Sequence, residues 1–124
     1  MTVLVTGGLG YIGSRLIREL PRHPVFAQET IRILDNFEQP RFNSMWDLPS
    51  FTDYEFVDAD IRDEEQVQQA MQGVDTVFHL AAITNAPKTF DIPEKTWEVN
   101  YDGAMNVFES AKEAGVNDFV NAVT

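Results

Sequence analysis

The chain contains no cysteine, which excludes disulfides and thiolate metal sites and leaves the redox compartment unread. It contains no apolar run near the roughly 18 residues that a membrane span requires, so a membrane-crossing helix is not expected. Basic side chains are scarce: nine lysines and arginines stand against twenty acidic residues, for a net charge of −11. That balance argues against nucleic acid or an anionic membrane surface as a partner. A phosphate-bearing ligand would have to be held by local geometry. The first residues lack a basic leader and a small-residue cleavage site, so the expected location is cytoplasmic rather than secreted. Internal repeats, low-complexity tracts and linkers are also missing.

What is present is the composition of a folded domain, with 44% hydrophobic and 11% aromatic residues. A chain of 124 residues suits one core that buries roughly two-thirds of the unfolded surface. Five strands are predicted, at residues 2 to 6, 31 to 35, 54 to 58, 75 to 79 and 118 to 123, alternating with helical patterns. Val3-Leu4-Val5, Ile31-Arg32-Ile33-Leu34 and Val74-Asp75-Thr76-Val77-Phe78 lean apolar rather than alternating strictly. Such strands are covered on both sides, so the expected fold class is α/β: a doubly wound parallel sheet with helices on both faces.

Helix starts can be read too. Asp60 is the expected N-cap of the third helix, with Asp63-Glu64-Glu65 at its positive end. Asp91-Ile92-Pro93-Glu94 has the form of a capping box with proline in the first turn. It opens the longest helix, expected to run to about Ala114 and stop at Gly115. Trp97, Tyr101, Ala104, Met105, Phe108 and Ala111 recur there at three- and four-residue spacing, a face split between the core and a possible subunit contact. Residues 36 to 53 show no periodicity and are expected to form a functional loop carrying Trp46.

The most informative segment is Thr6-Gly7-Gly8-Leu9-Gly10-Tyr11-Ile12-Gly13, placed between the first strand and the first helix. Glycines at such a turn let the backbone approach a ligand, and the N–H groups and positive end of the next helix attract a pyrophosphate. Plain packing could also require them. The second strand, however, ends in Asp35, 22 residues after Gly13, where a carboxylate can accept from the hydroxyls of an adenosine ribose. Asp35-Asn36 also suits an ordinary turn. Taken together the two features point to a dinucleotide, and a carboxylate that would repel a 2′-phosphate favours NAD over NADP.

In order along the chain, the glycine turn, Leu34-Asp35-Asn36, Asp60-Ile61-Arg62-Asp63, His79-Leu80-Ala81-Ala82, Asn100 and Phe119-Val120-Asn121-Ala122-Val123-Thr124 resemble the extended short-chain dehydrogenase/reductase family. Within it they resemble the NAD-dependent nucleotide-sugar epimerases and dehydratases, such as UDP-glucose 4-epimerases, over essentially the whole chain. The resemblance implies a Rossmann-type fold, truncated here before the later strands and the C-terminal substrate region. It implies that Gly7, Gly10 and Gly13 form the turn, with Tyr11 and Ile12 offering N–H groups to the pyrophosphate. Asp35 and Asn36 would hold the ribose. Asp60 would accept from the adenine amine while Ile61 packs on the ring. Leu80, Ala81 and Ala82 would let backbone pass the nicotinamide ribose, Asn100 would steady the active-site backbone, and Thr124 would stand at the catalytic Ser/Thr position. Thr84 occupies a place where some sugar epimerases have lysine. No metal is implied.

Relatives of this kind use a Tyr-x-x-x-Lys pair for proton transfer, because a tyrosine near its ordinary pKa is too basic without a cationic neighbour. Four residues after Tyr11, Tyr54 and Tyr101 stand Arg15, Asp58 and Met105, so the pair is missing from this sequence. The expectation is the NAD-binding part of a nucleotide-sugar epimerase or dehydratase, inactive alone and able to form a homodimer through the helix at 94 to 114. A non-catalytic dinucleotide-binding module and another extended-family reductase are the alternatives.

Overall fold

The computed structural model describes residues 1–36, 48–81 and 98–121. Five strands run in parallel: β1 (Thr2–Thr6), β2 (Thr30–Asp35), β3 (Tyr54–Asp58), β4 (Thr76–His79) and β5 (Asp118–Asn121). Their order in the sheet is β3-β2-β1-β4-β5. The chain therefore winds outward from β1 on one side and then crosses to the other, which makes the carboxyl ends of β1 and β4 the switch point where such sheets bind ligands.

The strands fall where the apolar runs predict them because side chains alternate between two covered faces. Val3, Val5, Ile31 and Ile33 pack with Leu9, Ile17 and Leu20 beneath α1 (Tyr11–Glu19). Leu4, Leu34 and Val77 point the other way, into a core shared with Val67 and Ala70 of α2 (Glu64–Ala70) and Val107 and Ala111 of α3 (Ala104–Ala114). The outer strands β3 and β5 are more exposed, as edges are.

One charged residue interrupts the apolar pattern of β2, and the structure explains it. The Arg32 guanidinium donates to the carbonyls of Ala70 (2.6 Å) and Gln72 (2.7 Å) and pairs with Glu55 at 2.7 Å. It thus supplies the positive charge that the last turn of α2 lacks.

Two helix expectations change. Asp63, not Asp60, caps α2, its side chain accepting from the Gln66 N–H. The longest helix also does not run as a uniform α-helix: Glu98–Gly103 forms a wider π-helical turn before α3 begins. Gly103 lies so close to Ile61 that a Cβ there would come within 2.6 Å of its side chain. Gly115 ends α3 in the left-handed conformation, φ 75°, as the sequence predicts. The expected capping box at residues 91 to 94, Trp97, and most of the loop expected at 36 to 53, Trp46 included, lie outside the described residues.

Candidate dinucleotide site

At the end of β1 the chain leaves the sheet through Gly7, which has φ +67° and whose N–H donates to the Leu34 carbonyl at 2.7 Å. A side chain on Gly7 would press to 2.8 Å against Cα and N of Ala81, so the turn lies directly on the backbone leaving β4. One on Gly8 would meet Ile33 Cγ2 at 2.5 Å, and one on Gly13 would collide with the backbone of Gly7 and Gly8. These three glycines are demanded by packing.

Gly10 is different. Its φ of −75° suits any residue, and a Cβ there would meet only the Gly7 carbonyl oxygen, at an acceptable 3.4 Å. Gly10 is also the N-cap of α1, where serine, threonine, asparagine or aspartate would ordinarily stand. No side chain caps this helix, and its first turn carries no acidic residue. By contrast, α2 has both Asp63 as a cap and Glu64 and Glu65 behind it. The N–H groups of the first turn of α1, from Tyr11 and Ile12 onward, therefore present their partial positive charge with no side-chain cap and no acidic residue in that turn.

Around this turn the structure gathers most of the residues that the sequence singles out. The Asp35 carboxylate, at the tip of β2, accepts from the Leu9 N–H at 3.2 Å and so borders the turn, with Asn36 next to it. Leu80 and Ala81 follow β4 on the other side. They are locked there by Thr6, whose hydroxyl accepts from both N–H groups at 3.1 and 3.2 Å. With its lone pairs so engaged, the hydroxyl is left to donate a hydrogen bond to Nδ1 of His79 at 2.7 Å, which requires the neutral ring to carry its proton on Nε2. Burial pushes His79 down to about 4, so the ring stays neutral at ordinary pH.

Beyond β3, Asp60 begins a tight loop. Its carboxylate accepts from the Arg62 N–H at 2.9 Å and pairs with the Arg62 guanidinium at 2.6 Å. Ile61 departs from expectation. It is 4% exposed and packs in the core against Gly103, so its side chain has almost no surface left to lay on a ring. Asn100 sits exposed in the π-helical turn. Ala82 and Thr124 lie outside the described residues. Beside Asp60 an open cleft of about 670 Å³ is lined by Asp60, Arg62, Asp63, Glu64, Gln66 and Glu98. Its four carboxylates would repel a pyrophosphate.

Three contributors are not singled out by the sequence reading: Gly8, Thr6 and Asn106. The glycine-rich segment contains the first two. A threonine just before it, at a strand end, is a signal for a side chain that ties two strands together. Among the described residues no group of His, Asp and Glu side chains could hold a metal ion.

The sequence profile of the NAD dependent epimerase/dehydratase family matches residues 3–124. The chain belongs to that family. A 3-beta-hydroxysteroid dehydrogenase of Mycolicibacterium neoaurum is 33% identical over 122 residues, covering 95% of this chain and 30% of that protein. The structure of a UDP-glucose-4-epimerase from Stenotrophomonas maltophila, with bound NAD and formylated UDP-arabinopyranose, superposes with a TM-score of 0.84 at 31% identity. That match covers 98% of this chain and 36% of the other. The dTDP-glucose 4,6-dehydratase of Streptomyces venezuelae with NAD bound gives 0.84 at 30%, covering 96% and 38%. The chain spans about a third of the length of the curated relatives it matches. The five-stranded parallel sheet is the Rossmann-type fold of these neighbours. Among the described residues no helix is long and apolar enough to cross a membrane.

Proposed function

We propose that this chain binds NAD and is the cofactor-binding part of a cytoplasmic nucleotide-sugar epimerase or dehydratase. The observation that carries the reading is Gly10. The fold tolerates a side chain there, yet the sequence keeps a glycine at the bare N-terminus of α1.

The residues fit the cofactor in order. The N–H groups of Tyr11 and Ile12 hold the pyrophosphate, reached through the Gly7-Gly10-Gly13 turn. Asp35 and Asn36 take the adenosine ribose, and Asp60 accepts from the adenine amine, Ile61 contributing backbone rather than side chain. We assign the nicotinamide ribose to the backbone of Leu80, Ala81 and Ala82, the first two of which Thr6 ties in place. Asn100 steadies this backbone from the helix, and Thr124 is assigned the catalytic Ser/Thr role.

Bound there, NAD supplies a hydride acceptor for a sugar carbon. The chain's own part is to orient the dinucleotide and exclude alternative poses. The proton transfer needs a tyrosine with a lysine four residues on, which these 124 residues do not contain, so the chain alone binds without turnover. The 33% identity to a 3-beta-hydroxysteroid dehydrogenase supports a second reading, oxidation of a steroid alcohol by the whole protein. Both readings share the cofactor site.

Titration calorimetry with NAD and NADP tests the proposal. NAD binds at least about tenfold more tightly, because the Asp35 carboxylate accepts from the 2′-hydroxyl and repels a 2′-phosphate. Asp35→Ser narrows that gap from both sides. Equal affinities in the unaltered chain, or no binding of either, would overturn the proposal.

A further inference from the structure

The loop of residues 60–62 is braced from three directions by side chains outside the glycine turn. From α2, Oε1 of Gln66 accepts from the Asp60 N–H at 3.0 Å. From α3, the Asn106 side-chain amide donates to the carbonyls of Ile61 (3.0 Å) and Arg62 (3.2 Å). Within the loop, Arg62 grips the Asp60 carboxylate with Nε at 3.0 and 3.1 Å and Nη2 at 2.6 Å. Its Nη1 reaches Glu98 Oε2 at 3.4 Å, at the start of the π-helical turn. A planar two-pronged guanidinium fixes the plane of a carboxylate as well as its charge. The helix that carries Asn106 can approach because Gly103 has no side chain to strike Ile61.

We infer that Arg62 and Asn106 are positioning residues for base recognition: they hold Asp60 and the Ile61 backbone so that the cofactor's adenine, rather than another purine, is read. The inference rests on the assignment of Asp60 to the adenine amine made under Proposed function. Neither residue needs to touch the cofactor. A loop fixed only by its own backbone would let the carboxylate swing, and a carboxylate free to turn accepts a donor in fewer of its orientations. The surface cost is small, since Arg62 is about one-third exposed and its removal opens no core cavity.

The test compares NAD with its hypoxanthine analogue, which carries a carbonyl in place of the adenine amine, by calorimetry on the unaltered chain and on Asp60→Ala, Arg62→Gln and Asn106→Ala. The unaltered chain prefers NAD by roughly tenfold, the worth of one hydrogen bond to a charged acceptor. Asp60→Ala abolishes the preference. Arg62→Gln and Asn106→Ala each reduce the ratio by about threefold or more, with thermal unfolding little changed in Arg62→Gln. A purely structural role would weaken both ligands equally and leave the ratio where it was, which would overturn the inference while sparing the Asp60 assignment. No preference in the unaltered chain, or one that survives Asp60→Ala, would overturn both. Should Asn106→Ala fold poorly, the surface variant Arg62→Gln still decides.

Discussion

His79 shows how a single buried side chain can serve the site without facing it. Its neutral ring accepts a hydrogen bond from the Thr6 hydroxyl, and that hydroxyl in turn accepts from the Leu80 and Ala81 N–H groups. Because burial lowers its pKa from 6.5 to about 4, the folded protein binds fewer protons than the unfolded chain between those values. Stability is therefore unaffected by this group above pH 6.5 and falls as pH drops through the window, by at most about 1.4 kcal/mol per pH unit. Urea denaturation at pH 7, 5.5 and 4.5 should show a steeper loss in the unaltered chain than in His79→Asn, which keeps an acceptor for Thr6. Identical slopes, or a ring that titrates near 6.5 by NMR, would count against this arrangement.

At the scale of elements, the longest helical segment divides its apolar residues between two duties. Val99, Val107 and Ala111 enter the core, while Tyr101, Met105 and Phe108 are about half exposed. Phe108 meets Phe119 of β5 edge to face, ring centroids 5.6 Å apart. We propose that this exposed helix face joins two copies of the chain. Phe108→Lys should shift the chain toward monomer in sedimentation velocity while changing the melting temperature by only a few degrees. A monomeric unaltered chain would remove the proposal. The spacing in the sequence shows an apolar helix, but not which half faces out. The π-helical turn at Glu98–Gly103 shifts the helix face partway along, and no local rule of side-chain spacing anticipates it.

For the molecule as a whole, the fold was legible because each strand announces itself as a short apolar run and each run ends in a turn. Four strands lie within one residue of their predicted bounds, and the fifth begins at Asp118 as predicted, its expected end at 123 lying outside the described residues. The glycine turn, Asp35 and the Leu80-Ala81 backbone were legible for the same reason: they sit at strand ends, whose position the pattern gives. Thr6, Asn106 and the buried state of Ile61 were not, because they depend on contacts between residues far apart in sequence, from Ile61 with Gly103 to Thr6 with Ala81. Asp60 lies between the cases: its place at the end of β3 could be read, but its partner in Arg62 rather than in the helix could not. The proposed function requires a glycine turn built for a ligand and not merely for packing. Gly10→Ala separates the two. The variant should melt within a few degrees of the unaltered chain, since the cost at an N-cap is about 1 kcal/mol or less, while losing NAD affinity at least about tenfold by calorimetry. Unchanged NAD affinity in a well-folded Gly10→Ala protein would contradict the proposed function.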